Sequence, residues 1–392
     1  MSSFTYPWDL ADIGVEIALD RMRDEGLGAF ELTACYHPIT LFTPGAPGRR
    51  LMHMDQGAVF FPARPARYGR IRPRIYPDSD VISVWTRAAE AAAARGLDLN
   101  SWTVALYQPW IAHEYPHTAR VTPAGQTNPA GVCPSSPDVR EFLVSLVSDL
   151  ASQFDIRTVQ LEGVTHPFVD TGWRLPRIMV DWTPWIRWLV SLCFCESCVG
   201  QAIARGIDVG GLRKRVLGEI EAFYAEGHGD SRPWSDVHAE RTASDEDYMG
   251  FVAMRDDLCV QLVQEIAAAL RRVNSRTGLG IWGPQEFDGT SLDLERVLSD
   301  LSVMQTRQPL VAPENAQEAR KIADEHNLRV TAVLWCGGRI GPPWGPEFEA
   351  ALRASVELGV DQINLFNWAM LRPGISAAIV PLLRRIEAEL SN

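Results

Sequence analysis

The chain of 392 residues is poor in lysine, in long apolar runs and in net positive charge. Only Lys214 and Lys321 are lysines among its 37 basic residues, which argues against Schiff-base or pyridoxal chemistry. No apolar run approaches the roughly 20 residues that span a bilayer, and a net charge of −12 disfavours nucleic acid and anionic membranes as partners. The N-terminus lacks a basic segment followed by an apolar stretch, so we expect a cytoplasmic protein.

Short apolar runs alternate with amphipathic helical patterns along the chain. We predict eight strands, at Phe4–Trp8, Ala29–Cys35, Leu99–Leu106, Thr158–Glu162, Gly278–Trp282, Ser302–Thr306, Arg329–Trp335 and Gln362–Asn367. We predict eight helices, at Ile13–Glu25, Val81–Arg95, Ser136–Phe154, Asp247–Asn274, Asp293–Ser299, Glu314–His326, Pro346–Leu358 and Ile375–Leu390. Eight alternating units predict a (β/α)8 TIM barrel. A doubly wound sheet is disfavoured because Trp8-Asp9-Leu10 does not resemble a glycine-rich phosphate turn.

Two long excursions interrupt this alternation, at about 37–80 and 163–246. The first is rich in Pro, Gly and Arg, with a hairpin strand predicted at Ala58–Phe61, and the second is rich in Trp and contains three cysteines. Both follow strands and therefore lie at the C-terminal face of a barrel, where active sites form. No linker or repeat marks a second domain, so we expect residues 1–392 to form one barrel domain.

Cysteines give the strongest local signal. The chain has seven, and an odd number without a secretory signal disfavours a disulfide framework. Cys193, Cys195 and Cys198 fall within six residues, a spacing that can surround one tetrahedral metal ion. The alternative is three incidental buried cysteines. Candidates for a fourth ligand are Cys133, His166 and Cys259.

The segment Cys133-Pro134-Ser135-Ser136-Pro137, then Arg140, then a carboxylate ending the fourth strand and then Cys-x-Cys-x-x-Cys resembles family 42 glycoside hydrolases. The resemblance covers roughly residues 125–200. It implies a (β/α)8 barrel of retaining β-galactosidases with a structural zinc ion bound by Cys133, Cys193, Cys195 and Cys198. Because four thiolates complete the coordination sphere, such a zinc ion would stabilise the long loop rather than activate water.

The same resemblance implies that Glu162 is the general acid/base. Strand alternation leads to this residue independently, because Thr158, Gln160 and Glu162 alternate with apolar Val159 and Leu161. Glu162 therefore points into the barrel at the C-terminal end of its strand. A carboxyl group among apolar side chains there can keep its proton for a leaving oxygen. The alternative is a salt bridge to an arginine on a neighbouring strand.

The sequence departs from the family at the second carboxylate. The family's nucleophile is a glutamate at the end of the seventh strand, which here reads Trp335-Cys336-Gly337-Gly338, and Leu161 replaces the Asn before the acid/base. Hydrolysis requires a second carboxyl group, about 5–5.5 Å away for retention or about 6.5–9.5 Å for inversion. Glu286, just beyond the fifth strand, is the first choice. An exposed loop glutamate is its alternative role, and other candidates are Asp288, Glu31, Asp9 and Asp170.

Polar and aromatic residues near other strand ends suit a polyhydroxylated ligand. Glu31 and His37 share one face of the second strand, and His37 can bind a hydroxyl group or transfer a proton. Tryptophans at strand ends can stack on a sugar ring or pack the rim of the barrel. The predicted substrate-binding residues are His37, Glu31, Trp282, Trp335, Asn367 and Trp368.

Three functions are compatible with these residues. The first is a glycosidase that cleaves a small glycoside or oligosaccharide, with Glu162 and Glu286 as its carboxylates. The second is a sugar isomerase, epimerase or lyase that uses Glu162 and His37 for proton transfer. The third is a non-catalytic carbohydrate-binding barrel. In each case the predicted partner is a small carbohydrate. The identity of the sugar and the stereochemistry of the reaction stay open. The oligomeric state stays open as well, and a homo-oligomer is one possibility.

Overall fold

The computed structural model describes residues 1–170, 178–227, 229–284, 292–337 and 341–391. Eight parallel strands close into a barrel, because β1 pairs with both β2 and β8. The strands are β1 Ser2–Thr5, β2 Ala29–Tyr36, β3 Asp98–Val104, β4 Thr158–Glu162, β5 Gly278–Trp282, β6 Val303–Arg307, β7 Arg329–Trp335 and β8 Gln362–Phe366. With the surrounding helices this is the predicted (β/α)8 TIM barrel.

The helices that cover the barrel begin and end near their predicted positions. They are Val15–Asp24, Ser79–Ala93, Pro137–Gln153, Glu246–Val273, Pro313–His326, Pro346–Glu357 and Pro373–Leu390. Proline occupies the first turn of four of them, where its missing N–H costs no hydrogen bond. Their apolar faces pack on the outward-facing side chains of the strands, such as Leu32 and Val159.

Two predictions of local structure were wrong. The first strand ends at Thr5 rather than Trp8, because Pro7 begins a short helix, Pro7–Ile13, that ends at Gly14 with φ 95°. The helix predicted over 293–299 is instead two 3-10 turns, Leu294–Arg296 and Leu298–Asp300. Val297 between them has φ −121°, which interrupts the helical path, and a segment this short gains little from propagation.

Three excursions build the C-terminal face. After β2, Ile39–Phe42 pairs with Leu51–Met54, and Ala58–Val59 returns antiparallel to β2, close to the predicted hairpin strand. After β3, the helix Pro109–Glu114 leads to a hairpin that the sequence analysis missed, Ala119–Val121 with Thr127–Val132. Between β4 and the barrel helix Glu246–Val273, the described residues form four helices: Pro184–Ser191, Glu196–Ile203, Val209–Glu226 and Trp234–Ser244.

The helices after β4 have their own apolar core. Trp185, Leu212 and Phe223 are among its buried members, and the barrel helix Glu246–Val273 adds residues to this core near its start and to the barrel core further along. Within the described ranges, no single helix is long and apolar enough to cross a bilayer. One pair, Pro184–Ser191 and Glu196–Ile203, meets the length and composition only when joined across a 91° bend.

Candidate active site and metal centre

Glu162 lies at the C-terminal end of β4, beside the ring of Trp102 on β3. The indole Nε1–H of Trp102 donates a hydrogen bond of 2.8 Å to Glu162 Oε2. Burial raises the pKa of Glu162, and this hydrogen bond opposes the rise because it favours the carboxylate. The residue remains partly exposed. Glu162 therefore combines access to the mouth of the barrel with an environment that favours its protonated form.

Aromatic side chains pack around Trp102, the hydrogen-bond donor to this carboxyl group. Trp102 packs against Phe4 with ring centroids 4.4 Å apart, against Tyr36 at 4.7 Å and against Tyr6 at 5.5 Å. The hydroxyl groups of Tyr6 and Tyr36 lie 3.3 Å apart. Burial raises the pKa of both phenols, and the charge of Glu162 adds to the rise. Both phenols are therefore neutral at physiological pH and able to donate hydrogen bonds.

His37 lies next to this aromatic cluster, at the end of β2. Its ring stacks on Tyr36 at 4.1 Å and contacts Tyr107 at 4.8 Å. Burial lowers the pKa of His37 to about 4, so the imidazole is neutral at pH 7. Its Nδ1 lies 2.7 Å from the Pro38 carbonyl oxygen, which accepts a hydrogen bond only if Nδ1 carries the proton. Nε2 is then the basic nitrogen.

Glu31 lies deeper in the barrel than Glu162. It pairs in register with Asn100, two residues before Trp102 on β3. Its Oε2 accepts a 3.3 Å hydrogen bond from Gln305 Nε2, and burial raises its pKa to about 8. At neutral pH it is mostly a protonated, uncharged group in the polar interior of the barrel.

The three tryptophans predicted to stack on a sugar ring do not lie together in the structure. Trp282 and Trp335 are partly exposed and pack against the aromatic cluster of the barrel interior, and the ring of Trp335 lies 6.0 Å from Phe366. Trp368 lies apart from them. It is buried, donates its indole N–H to Glu25 at 2.8 Å and lies under the guanidinium of Arg21, which favours packing over sugar stacking.

Asn367 is also buried, at the turn after β8. Its Oδ1 accepts from the Ala369 backbone N–H at 3.2 Å, so this side chain caps the 3-10 turn Trp368–Met370. Its Nδ2 has no hydrogen-bond partner. A role for Asn367 in substrate binding stays a prediction that depends on this amide.

The described residues do not identify the second catalytic carboxylate. Glu286 and Asp288 lie outside the described residues. Asp170 forms an ion pair of 2.9 Å with Arg187, which gives it a structural partner. Asp9 is fully buried after β1, neither carboxylate oxygen has a hydrogen-bond partner, and burial raises its pKa well above the ordinary value.

Four cysteines meet beneath the helices that follow β4. The Sγ atoms of Cys133, Cys193, Cys195 and Cys198 all lie within 4.8 Å of one another, and all four residues are buried. Two of these separations are 3.4 Å and 3.9 Å. A tetrahedral ion with Zn–S bonds of about 2.3 Å needs sulfurs about 3.8 Å apart. The donor set therefore fits one metal ion, and His166 and Cys259 are not part of it.

A buried cation lies beside these thiols. Arg120, in the strand Ala119–Val121, is 3% exposed and forms no ion pair within the described ranges. Its Nη2 donates to the Ser191 carbonyl, while its Nε and Nη1 have no hydrogen-bond partner. Burial lowers the pKa of Arg120, and the charges of Cys193, Cys133 and Cys198 counteract this effect. Deprotonated cysteines would provide the missing negative charge.

The sequence analysis missed Trp102, Tyr6, Tyr36 and Arg120. For Trp102 a signal was available, because Asn100, Trp102 and Val104 alternate along β3 in the same way as the residues of β4. Nothing local marks Arg120, since its position depends on a hairpin meeting a segment about 70 residues further along the chain.

Three solved structures are similar to the whole barrel. An α-L-fucosidase isoenzyme 2 from Paenibacillus thiaminolyticus is 12% identical, with a TM-score of 0.55 over 95% of this chain and 46% of that one. A β-galactosidase from the psychrophilic Marinomonas ef1 is 13% identical, with a TM-score of 0.56 over 98% of this chain and 58% of that one. The glycoside hydrolase domain of PgaB from Bordetella bronchiseptica is 13% identical, with a TM-score of 0.54 and 97% of both chains covered.

No protein-family model matches the chain, and no curated protein is significantly similar in sequence. The chain spans about half the length of the first two structures. At this identity the likeness shows the fold: this chain has the (β/α)8 barrel of known glycoside hydrolases.

Proposed function

We propose that this protein is a glycoside hydrolase that acts on a small glycoside or oligosaccharide at the C-terminal mouth of the barrel. The observation that carries the proposal is the Glu162 carboxyl group at the end of β4, hydrogen-bonded to Trp102, which itself packs against Tyr6 and Tyr36. In this environment the carboxyl group holds a proton at a pH where an exposed glutamate has lost it. The similarity to glycosidase barrels supports the same proposal.

In the proposed mechanism, Glu162 protonates the glycosidic oxygen as the bond to the leaving group breaks. A second carboxylate, for which we propose Glu286, attacks the anomeric carbon or activates water. The indole rings of Trp282 and Trp335 provide apolar faces for the sugar, while His37 accepts a hydrogen bond from a hydroxyl group. Where Glu286 has attacked the sugar, the Glu162 carboxylate then takes a proton from the water that displaces Glu286 from the anomeric carbon. Where Glu286 has activated water, Glu286 itself takes this proton.

The test is a panel of aryl glycosides with wild type and Glu162→Gln, followed by NMR of the first anomer formed. Glutamine keeps the shape of the side chain but cannot transfer a proton, so we expect turnover to fall by about 10²- to 10⁴-fold. Glu221→Gln, on an exposed helix surface, is the matched control. Tight sugar binding without turnover in wild type would instead favour a non-catalytic barrel.

Proton transfer at carbon is the second candidate function, as in a sugar isomerase, epimerase or lyase. Tyr36 contacts both His37 and Trp102, so two aromatic side chains connect a neutral imidazole to the hydrogen-bonded Glu162. From Arg329, where β7 begins, to Pro346, the sequence contains no Asp or Glu, and the first carboxylate is Glu347. Wash-in of deuterium from solvent into a ketose or aldose, abolished in His37→Gln, would support this function over hydrolysis.

We further propose that the four cysteines bind one structural zinc ion. Thiolates are ligands that zinc favours, and four of them leave no coordination position for water. Each zinc tetrathiolate has a net charge of −2, so the buried Arg120 guanidinium is a suitable counter-ion. Zinc at this site would hold the loops together and take no part in the chemistry at Glu162.

A further inference from the structure

A groove of about 420 Å³ opens beside the mouth of the barrel, apart from Glu162. Its walls come from the loops that follow β2, β3 and β4, the same loops that surround the proposed catalytic site. Pockets that hold small molecules have volumes of about 300–1,000 Å³, so the groove has room for a ligand of modest size. The residues that line it include Asp55, Tyr107, His113, Asn128, Ala130 and Val169.

Two glycines allow the walls of the groove to pack closely against the barrel. A Cβ at Gly57 would overlap the carbonyl oxygen of Tyr36, and a Cβ at Gly131 would lie 2.9 Å from the carbonyl oxygen of Leu106. Only glycine permits such close approach without displacing the backbone. The Val132 N–H also donates to the Leu106 carbonyl at 2.9 Å. The groove is therefore built on the ends of β2 and β3 and largely formed before any ligand binds.

The groove meets the proposed active site at Tyr107. The ring of Tyr107 lines the groove and lies 4.8 Å from His37, which in turn stacks on Tyr36 at 4.1 Å. Tyr36 contacts Trp102, the hydrogen-bond donor to Glu162. A continuous line of aromatic and imidazole side chains therefore joins the groove to the carboxyl group of Glu162.

The chemistry of the walls favours a neutral sugar. Apolar surface comes from Tyr107, Pro109, Pro129 and Val169. Hydroxyl, amide and imidazole groups lie between them, together with the carboxylate of Asp55, which disfavours an anionic ligand. None of the described lining residues is Lys or Arg, so the groove has no cation for a phosphate or sulfate group. Mixed apolar and hydrogen-bonding walls suit the two faces of an uncharged pyranose ring.

We propose that this groove binds additional neutral sugar residues of an oligosaccharide whose reacting bond lies at Glu162. The proposal rests on the proposed glycosidase function and extends it, because it makes the substrate a chain rather than a single sugar with a small leaving group. Affinity should then depend on chain length, and this dependence should come from the groove.

The test measures binding by calorimetry in Glu162→Gln, which leaves the substrate intact. The probes are di- to pentasaccharides of the galacto-, cello- and xylo-oligosaccharide series. We expect affinity to rise with chain length for one series. Ala130→Trp in the same background places an indole ring in the groove. It should weaken binding of the longer chains by about tenfold, which corresponds to the loss of one or two hydrogen bonds to the sugar. Ala222→Trp, on an exposed helix surface, is the control.

His113→Ala is a second, smaller variant that removes one polar group of the groove. It should weaken binding of the longer chains by about threefold to tenfold and leave disaccharide binding unchanged. Affinity that is independent of chain length, or equal in Glu162→Gln with and without Ala130→Trp, would overturn the proposal. Turnover of aryl glycosides by the wild-type protein is measured separately, so the groove can fail while the glycosidase function stands.

Discussion

Two opposing effects set the protonation of Glu162. Burial among Trp102, Tyr6 and Tyr36 favours the neutral acid, while the indole N–H of Trp102 favours the carboxylate. A general acid needs a pKa close to the working pH, and a single neutral donor moderates the effect of burial without cancelling it.

Trp102→Phe should therefore shift the pH profile of kcat/KM. Removing the N–H removes the contact that lowers the pKa of Glu162, so that pKa rises further. We expect the alkaline limb, which reports loss of the acid's proton, to move up by about one pH unit. Trp282→Phe keeps the Trp102–Glu162 bond and is the control. An unchanged or lowered alkaline limb would contradict this account of Glu162.

Glu31 gives a prediction about stability rather than activity. Its pKa is about 8 in the folded protein and near 4.5 in an unfolded chain. Between these values the folded state holds a proton that the unfolded state has lost, so stability falls as pH rises through this range. Glu31→Gln cannot titrate, so its Tm relative to wild type should increase from pH 4.5 to about 8. Thermal melts across this range test it, with Glu221→Gln as control. A constant difference would exclude the effect.

At the scale of elements, the hairpin Ala119–Val132 joins the barrel to the helices after β4. Its strand residue Val121 accepts a hydrogen bond of 2.8 Å from the Phe194 N–H, between two of the clustered cysteines. The Cys133 N–H donates to the Thr118 carbonyl at 2.9 Å. Arg120 is thereby placed in the interior next to the thiols, where a lone charge would be costly.

Arg120→Met should weaken zinc binding while preserving volume. Removing this positive charge takes one buried counter-ion from the net negative charge of a zinc tetrathiolate, although the buried Arg255 remains, so we expect zinc release to a chelator to quicken by about tenfold. Arg120→Lys restores the charge and should recover part of the loss. Arg205→Met, an exposed arginine, is the control. Release rates that match wild type in Arg120→Met would remove the counter-ion role, while the zinc content of wild type tests the metal itself.

At the scale of the whole molecule, the helices after β4 and the barrel pack around two apolar cores, and the helix Glu246–Val273 contributes side chains to both. The cysteine cluster lies at the junction, because Cys133 precedes the helix Pro137–Gln153 of the barrel and the other three cysteines belong to the excursion. A metal ion there would couple the stability of the two parts.

Cys195→Ser should therefore loosen one part of the molecule more than the other. We expect the loss of about one zinc ion per chain, and faster amide hydrogen exchange over residues 184–244 than in wild type. Exchange in β1–β8 should stay close to wild type. Cys336→Ser, outside the cluster, is the control. Uniformly faster exchange across the barrel, or none anywhere, would contradict this division.

Local patterns predicted much of this molecule. Period-two alternation located Thr158, Gln160 and Glu162 on β4, and apolar runs located the other strands, because these signals involve residues that are close in the chain. The two wrong predictions also have local causes. Pro7 begins a helix and therefore ends β1 early, and the segment 293–299 is too short for an α-helix. The hairpin after β3 was missed because Asn128-Pro129-Ala130-Gly131 has no clear strand pattern.

The sequence by itself thus determined the alternation of strands and helices, the inward direction of Glu162 and the cluster of three cysteines. The residues alone did not decide which of Cys133, His166 and Cys259 is the fourth ligand beside these three cysteines. Only the tertiary structure brought Cys133 to that cluster, Trp102 to Glu162 and Arg120 to the thiols. These contacts join residues about 60 to 70 positions apart, and they depend on barrel closure and strand register, which no local pattern encodes.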